Sequence, residues 1–117
     1  MKLQNEMFFV EESADSRVRV RLNAGHYIYG AHFPGNPITP GVCIVQMVGE
    51  LLSNRVGRPL KLSKIVNLKF VAPISPVTTP CVEVLFSAVV NTPAGFQAKG
   101  AITADKVLMT KFSIVYE

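Results

Sequence analysis

Arg17-Val18-Arg19-Val20-Arg21-Leu22 alternates charged with apolar residues, the period of a strand with one wet and one buried face. Its three arginines read as the solvent side of that strand rather than as an anion site. Beyond Pro40 the period changes. From Gly41 to Leu52, Val42, Ile44, Val45, Met47, Val48, Leu51 and Leu52 cover nearly the whole circumference of a helix, which predicts a buried one. Thr39 is the candidate N-cap, with Pro40 at the first helical position.

Alternation returns after Pro59. Leu60, Leu62, Val66, Leu68 and Phe70 share one parity, and Lys64, which breaks it, predicts a bulge or an edge position. Pro73 and Pro76 end that strand. Val82, Val84, Phe86, Ala88 and Val90 predict the next inward face, and Asn91-Thr92-Pro93-Ala94-Gly95 a hairpin-length loop. Phe96, Ala98, Gly100, Ile102 and Ala104 then face inward, and Asp105-Lys106 turns into a last strand from Val107 to Tyr116. The small Ala98, Gly100 and Ala104 leave room for the helix against the sheet. The expected architecture is α+β, an antiparallel sheet of five to six strands wrapped around one long central helix. With no repeat or linker, the 117 residues form one domain, 1–117.

Composition adds limits. An apolar fraction of 49% with 17% charged residues fits a compact protein with some buried subunit contact. No apolar run reaches the roughly 18 residues of a membrane span, and the start lacks a signal-peptide core, so a cytoplasmic location is expected. Cys43 and Cys81 signal neither a disulfide framework nor a metal site and are expected to be buried small hydrophobes. The net charge of +4 and pI of 9.3 come from scattered Lys and Arg with no interleaved aromatics, which argues against nucleic acid. A solvated basic surface or an acidic protein partner remains.

The chemistry concentrates in His32-Phe33-Pro34-Gly35-Asn36-Pro37-Ile38-Thr39-Pro40-Gly41-Val42. One titratable imidazole, a loop stiffened by Pro and Gly, and a helix start follow one another. This run closely resembles the HFPGxPxMPGV signature of the 3-hydroxyacyl-[acyl-carrier-protein] dehydratases of the hotdog fold, the FabZ/FabA type. Lys69-Phe70-Val71-Ala72-Pro73-Ile74 is similar to the KFRRPV strand end of those enzymes. The resemblance implies a homodimer with active sites at the subunit interface and a substrate carried as a thioester on acyl carrier protein or CoA. It implies neither cofactor nor metal. A histidine of one subunit faces an acidic residue on the helix of the other across an acyl tunnel. By position the histidine is His32, the acid falls on Gln46, and the backbone N–H that polarises the thioester carbonyl falls at Gly41, followed by Val42. Tyr29 and Phe33 are expected to line the tunnel.

That chemistry needs those parts. Dehydration removes a weakly acidic α-proton and protonates a departing hydroxyl, which suits groups titrating near neutrality. Negative charge grows on the thioester oxygen and is stabilised by unsatisfied N–H donors at a helix N-terminus.

The chain departs from the pattern at Gln46, which has no acidic proton to give. Glu50 lies at i+4 on the same helical face, so the family's Glu-then-Gln order looks exchanged. Either Glu50 supplies the carboxylate from about 6 Å further down the helix, directly or through a bound water, or it hydrogen-bonds Gln46 or reaches solvent. Family members usually also carry an N-terminal PHRxPFLLxD-like segment, and the shorter start here is expected to mean either a more open tunnel or a specialised pathway enzyme. His26 is expected at a turn, Met47 and Met109 in the core, and Arg55 and Arg58 at the helix end, complementing its dipole. Two other functions stay open: a thioesterase using Glu50, and a non-catalytic binding subunit that pairs with an active relative.

Overall fold

A computed structural model describes residues 1–31 and 35–117. The elements run β1 (Phe8–Ser13), β2 (Arg17–Leu22), α1 (Tyr27–Ala31), α2 (Gly41–Val56), β3 (Leu62–Phe70), β4 (Cys81–Thr92), β5 (Gly95–Ala104) and β6 (Val107–Tyr116). All strands join one six-stranded antiparallel sheet in the order β1-β2-β4-β5-β6-β3. This is the expected α+β arrangement, with α2 against the concave face. No helix among the described residues is long and apolar enough to cross a membrane.

Hairpin chemistry sets the register on one side of the sheet. Asp105 and Lys106 both take positive φ, the conformation a two-residue turn needs to match strand twist. Ala98, Ile102 and Ala104 of β5 and Phe112, Ile114 and Tyr116 of β6 are buried inward. Above them lie Cys43, Ile44, Val45, Met47, Val48, Leu51 and Leu52 of α2, all buried. Gly49 permits the closest approach, because a Cβ there would stand 2.6 Å from the Tyr116 ring. The Tyr116 hydroxyl donates to the Val45 carbonyl at 2.6 Å, using an acceptor inside the helix to tie it to β6.

Several expectations need correction. Helix α2 starts at Gly41 with Pro40 as N-cap and no side-chain cap; Thr39 is buried and hydrogen-bonded elsewhere. Val42 does not join the buried circumference and is 66% exposed. In β4 the inward face holds for Val82, Val84 and Phe86, but a bulge between Phe86 and Ala88 flips the parity. An inserted residue in a period-2 pattern reverses every later side chain, so Val89 pairs with the inward Ala98 and Val90 is left exposed. In β3, shifts at Leu62/Lys64 and Ile65/Asn67 put Ile65 rather than Val66 opposite the inward Ile114. Both the bulge and the edge position expected near Lys64 are present. Cys43 is buried, but Cys81 is only half-buried, its thiol 3.5 Å from a Glu11 carboxylate oxygen. Arg55 and Arg58 donate to the carbonyls of Asp15 and Glu117 rather than to their own helix end. Gly57, in the left-handed conformation, closes that end through its N–H to the Ser53 carbonyl.

Candidate functional site

The start of α2 is an electropositive backbone corner made by a proline. Pro40 is extended, at φ −61° and ψ 146°, and its carbonyl accepts from Cys43 N–H at 3.0 Å and Ile44 N–H at 3.1 Å. Gly41 and Val42 N–H have no acceptor among the described residues. They are the orphan donors of a helix start, and the helix dipole adds to their partial positive charge.

A cleft of about 340 Å³ opens beside this corner, lined by Ile38, Pro40, Gly41, Ile44, Phe70 and Val71 among others. Its walls are mostly apolar and its polar feature is the helix start, the combination that suits an acyl chain ending in a polarisable carbonyl. A side chain at position 41 would have to displace Phe70. The Phe70 ring lies over the bare Cα, and a Cβ there would stand 2.8 Å from its Cζ.

The chain enters and leaves the stretch before α2 through a buried polar contact. Tyr29, 3% exposed in α1, shares a hydrogen bond of 2.9 Å with the Thr39 hydroxyl. Thr39 N–H donates to the Ile74 carbonyl at 2.8 Å. Burial pushes the Tyr29 phenol above its usual range, against the opposing effect of the Thr39 bond, with the nearby Cys43 adding to the rise. Burial also pushes the Cys43 thiol up. Both groups stay protonated and uncharged at neutral pH.

Gln46 and Glu50 lie further along α2 and look away from the core. Glu50 accepts Leu3 N–H on one carboxylate oxygen and Gln4 N–H on the other, each at 2.7 Å. The Gln46 amide donates to Glu50 at 2.8 Å and to the Met1 carbonyl at 2.7 Å. One turn on, Asn54 donates to the Gln4 side chain at 2.8 Å. Together the three side chains clasp the segment Met1–Gln4 along the open stripe of the helix.

Gly41 and Val42 thus meet at the helix start, and Gln46 and Glu50 meet at the clasp. Tyr29 is buried against Thr39 and does not line the cleft. His32 and Phe33 lie outside the described residues. His26 sits at a turn, its Nδ1 accepting from Ile28 N–H at 3.2 Å. Phe70, Thr39 and the Met1–Gln4 segment are the participants that sequence reasoning missed. Only Phe70 left a signal, as the aromatic of the Lys69–Ile74 run. Among the described residues no group of three or more His, Cys, Asp or Glu could hold a metal ion.

The model of the ApeI dehydratase family matches residues 10–109. The chain belongs to the ApeI-like dehydratase family. This places the chain in a dehydratase family without singling out the FabZ/FabA type. No curated protein matches the chain. Among solved structures, the dehydratase heterocomplex ApeI:P from Xenorhabdus doucetiae superposes with a TM-score of 0.63 at 17% identity, covering 92% of this chain and 93% of that one. An uncharacterised protein from Erwinia carotovora subsp. atroseptica gives 0.59 at 15% identity, over 94% and 91%. A protein provisionally named a thioesterase, from Shewanella oneidensis, gives 0.54 at 15% identity, over 95% and 82%. These likenesses establish the hotdog fold of this ApeI-like chain.

Proposed function

We propose that this ApeI-like protein dehydrates 3-hydroxyacyl thioesters, on acyl carrier protein or CoA, to the conjugated enoyl thioester and water. The observation that carries the reading is the pair of orphan N–H groups at Gly41 and Val42 beside an apolar cleft, in a chain of a dehydratase family. The thioester oxygen accepts from Gly41 N–H, which acidifies the α-carbon and stabilises the enolate-like charge as the proton leaves. His32 takes that α-proton and then gives it to the departing hydroxyl, so that C–O cleavage releases water and leaves the α,β double bond. No net proton is exchanged and no cofactor is needed.

Gln46 has no proton to transfer, and its amide is engaged by Glu50 and the Met1 carbonyl. The engagement of both Glu50 oxygens by Leu3 and Gln4 supports a holding role for that carboxylate and argues against a thioesterase, which would need it free.

The exposed edge strand supports assembly. Leu62, Ile65, Val66, Phe70 and Val71 along β3 are 45–51% exposed, and Val42 on the adjoining helix 66%. An unpaired edge bearing such residues is a template for another strand, and we assign it to pairing with a second subunit. The heterocomplex among the structural neighbours gives a reason to test a homodimer against a mixed dimer with an active relative, the case in which this chain would be the binding subunit.

The deciding experiment follows a 3-hydroxyacyl pantetheine thioester by mass spectrometry and thiol titration. Dehydration gives loss of water with the thioester intact. Release of free thiol would establish the thioesterase alternative. Product only after adding a homologous subunit would establish the binding-subunit alternative.

A further inference from the structure

The outward face of the sheet is divided by charge. On β2 the three arginines are matched: Arg17 pairs with Glu83 at 3.2 Å, and Arg19 and Arg21 pair with Glu11 at 3.6 Å each. Across β5, β6 and β3 there is no Asp or Glu at all. Register fixes Lys99, Lys111, Lys64 and Lys69 on the outward side there. Lys99 pairs with Ser113 and Lys64 with the outward Val115, while Lys111 and Lys69 are direct cross-strand partners. Lys99 is the diagonal neighbour of Lys111. All four lysines are exposed, and among the described residues none forms an ion pair. Like charges placed directly opposite destabilise a sheet, and among the described residues no carboxylate pairs with Lys69 or Lys111 to offset it.

We propose that this lysine face is the docking surface for an acidic protein, namely the carrier that presents the acyl thioester. The inference rests on the dehydratase reading and adds to it where the partner binds. Nucleic acid fits poorly, because the lysines are spaced among neutral residues and the exposed aromatic of these strands, Phe70, lies on the inner side over Gly41 rather than among them. A lipid surface fits poorly as well: the outward apolar positions paired beside the lysines are the small Ala101, the half-buried Leu108 and the covered Val115, 6% exposed, which offer little for insertion. A face of spaced lysines among neutral residues complements a face of spaced carboxylates. The position also suits delivery. Lys69 adjoins Phe70, whose ring covers Gly41 at the cleft, so a flexible tether from a protein docked here reaches the helix start around the Phe70–Ala72 end of β3.

The test compares the wild-type protein with Lys99→Glu/Lys111→Glu, using acyl carrier protein as the probe. Binding is read by fluorescence anisotropy, and turnover is read with the same 3-hydroxyacyl group on carrier protein and on free pantetheine. Wild type should bind with an affinity that falls steeply with salt. The variant should bind about tenfold or more weakly and show a matching rise in KM for the carrier-bound substrate, with pantetheine turnover unchanged. Its melting temperature should not fall, since Lys111→Glu places opposite charges across from each other at Lys69, which separates lost docking from lost folding. Arg17→Glu, on the matched half, should leave binding within twofold. No salt-sensitive binding by wild type, or binding and KM within twofold in the double variant, would overturn the proposal. If binding follows the lysines while wild type turns over neither thioester, docking stands and the dehydratase reading falls.

Discussion

Removing the Glu50 carboxylate separates a clasp from a catalyst. Its two bonds to Leu3 and Gln4 N–H, 2.7 Å each, are charge-assisted. Such bonds contribute about 1.5–3 kcal/mol when fully buried, but these are partly buried, and solvent competition reduces each to about 1 kcal/mol. Opening the clasp also uncovers Leu3, 2% exposed, for about 1–2 kcal/mol more. Glu50→Ala should therefore cost about 3 kcal/mol. Glu50→Gln, which keeps one acceptor oxygen and sets an NH₂ group against the other donor, should cost about 1–2 kcal/mol. For 117 residues the unfolding entropy near the midpoint is about 0.25 kcal/mol/K. The expected losses in Tm are thus about 12 °C for Ala and about 4–8 °C for Gln. The assay is a thermal melt of each variant beside its turnover well below melting. A Tm within about 2 °C of wild type for Glu50→Ala would refute the clasp. A normal melt with turnover of Glu50→Gln down about 100-fold would make Glu50 the acid.

Tyr29→Phe should destabilise by about 1–2 kcal/mol in urea titrations because it leaves the buried Thr39 hydroxyl unpaired; Tyr29→Phe/Thr39→Val should recover most of that loss, and strict additivity would argue against the contact. Gly49→Ala drives a methyl into the Tyr116 ring and loosens its bond to Val45, for about 1–3 kcal/mol, read as a lower urea midpoint with an unchanged slope. Alkaline stability has a definite sign. Burial raises the phenols of Tyr29 and Tyr116 above 10.0 and the Cys43 thiol above 9.0, so the unfolded chain releases these protons first. The urea midpoint should therefore be insensitive to these groups below about pH 9 and fall from there upward; a midpoint flat through about pH 11 would contradict the burial assigned to them.

The sheet and the central helix were legible because their periods are clean. Arg17–Leu22 and Phe96–Ala104 keep strict alternation, and both are strands with the expected faces. Reading failed where one inserted residue reverses the faces, as after Phe86, where Val90 turns outward although it belongs to the same run of alternate apolar residues. It also failed for Val42, because a hydropathy pattern cannot tell a helix face covered by its own sheet from one left uncovered. At the candidate site, the Pro40-Gly41 helix start was legible from local chemistry. The clasp was not, since Glu50 meets residues 46 and 47 positions away in sequence, and no periodicity encodes such a contact. Thr39 looked like a cap because it precedes Pro40, yet its hydroxyl goes to Tyr29, ten residues back.

The central proposal is that His32 performs the acid–base chemistry while Gln46 and Glu50, further along α2, transfer no proton. The most direct test is kcat/KM for enoyl formation from a 3-hydroxyacyl pantetheine thioester by wild type and by His32→Ala at matched folded concentration. The account predicts enoyl formation by wild type and a loss of about 10²–10⁴ in the variant, the contribution of a positioned general acid–base. Turnover of His32→Ala within about threefold of wild type would contradict it.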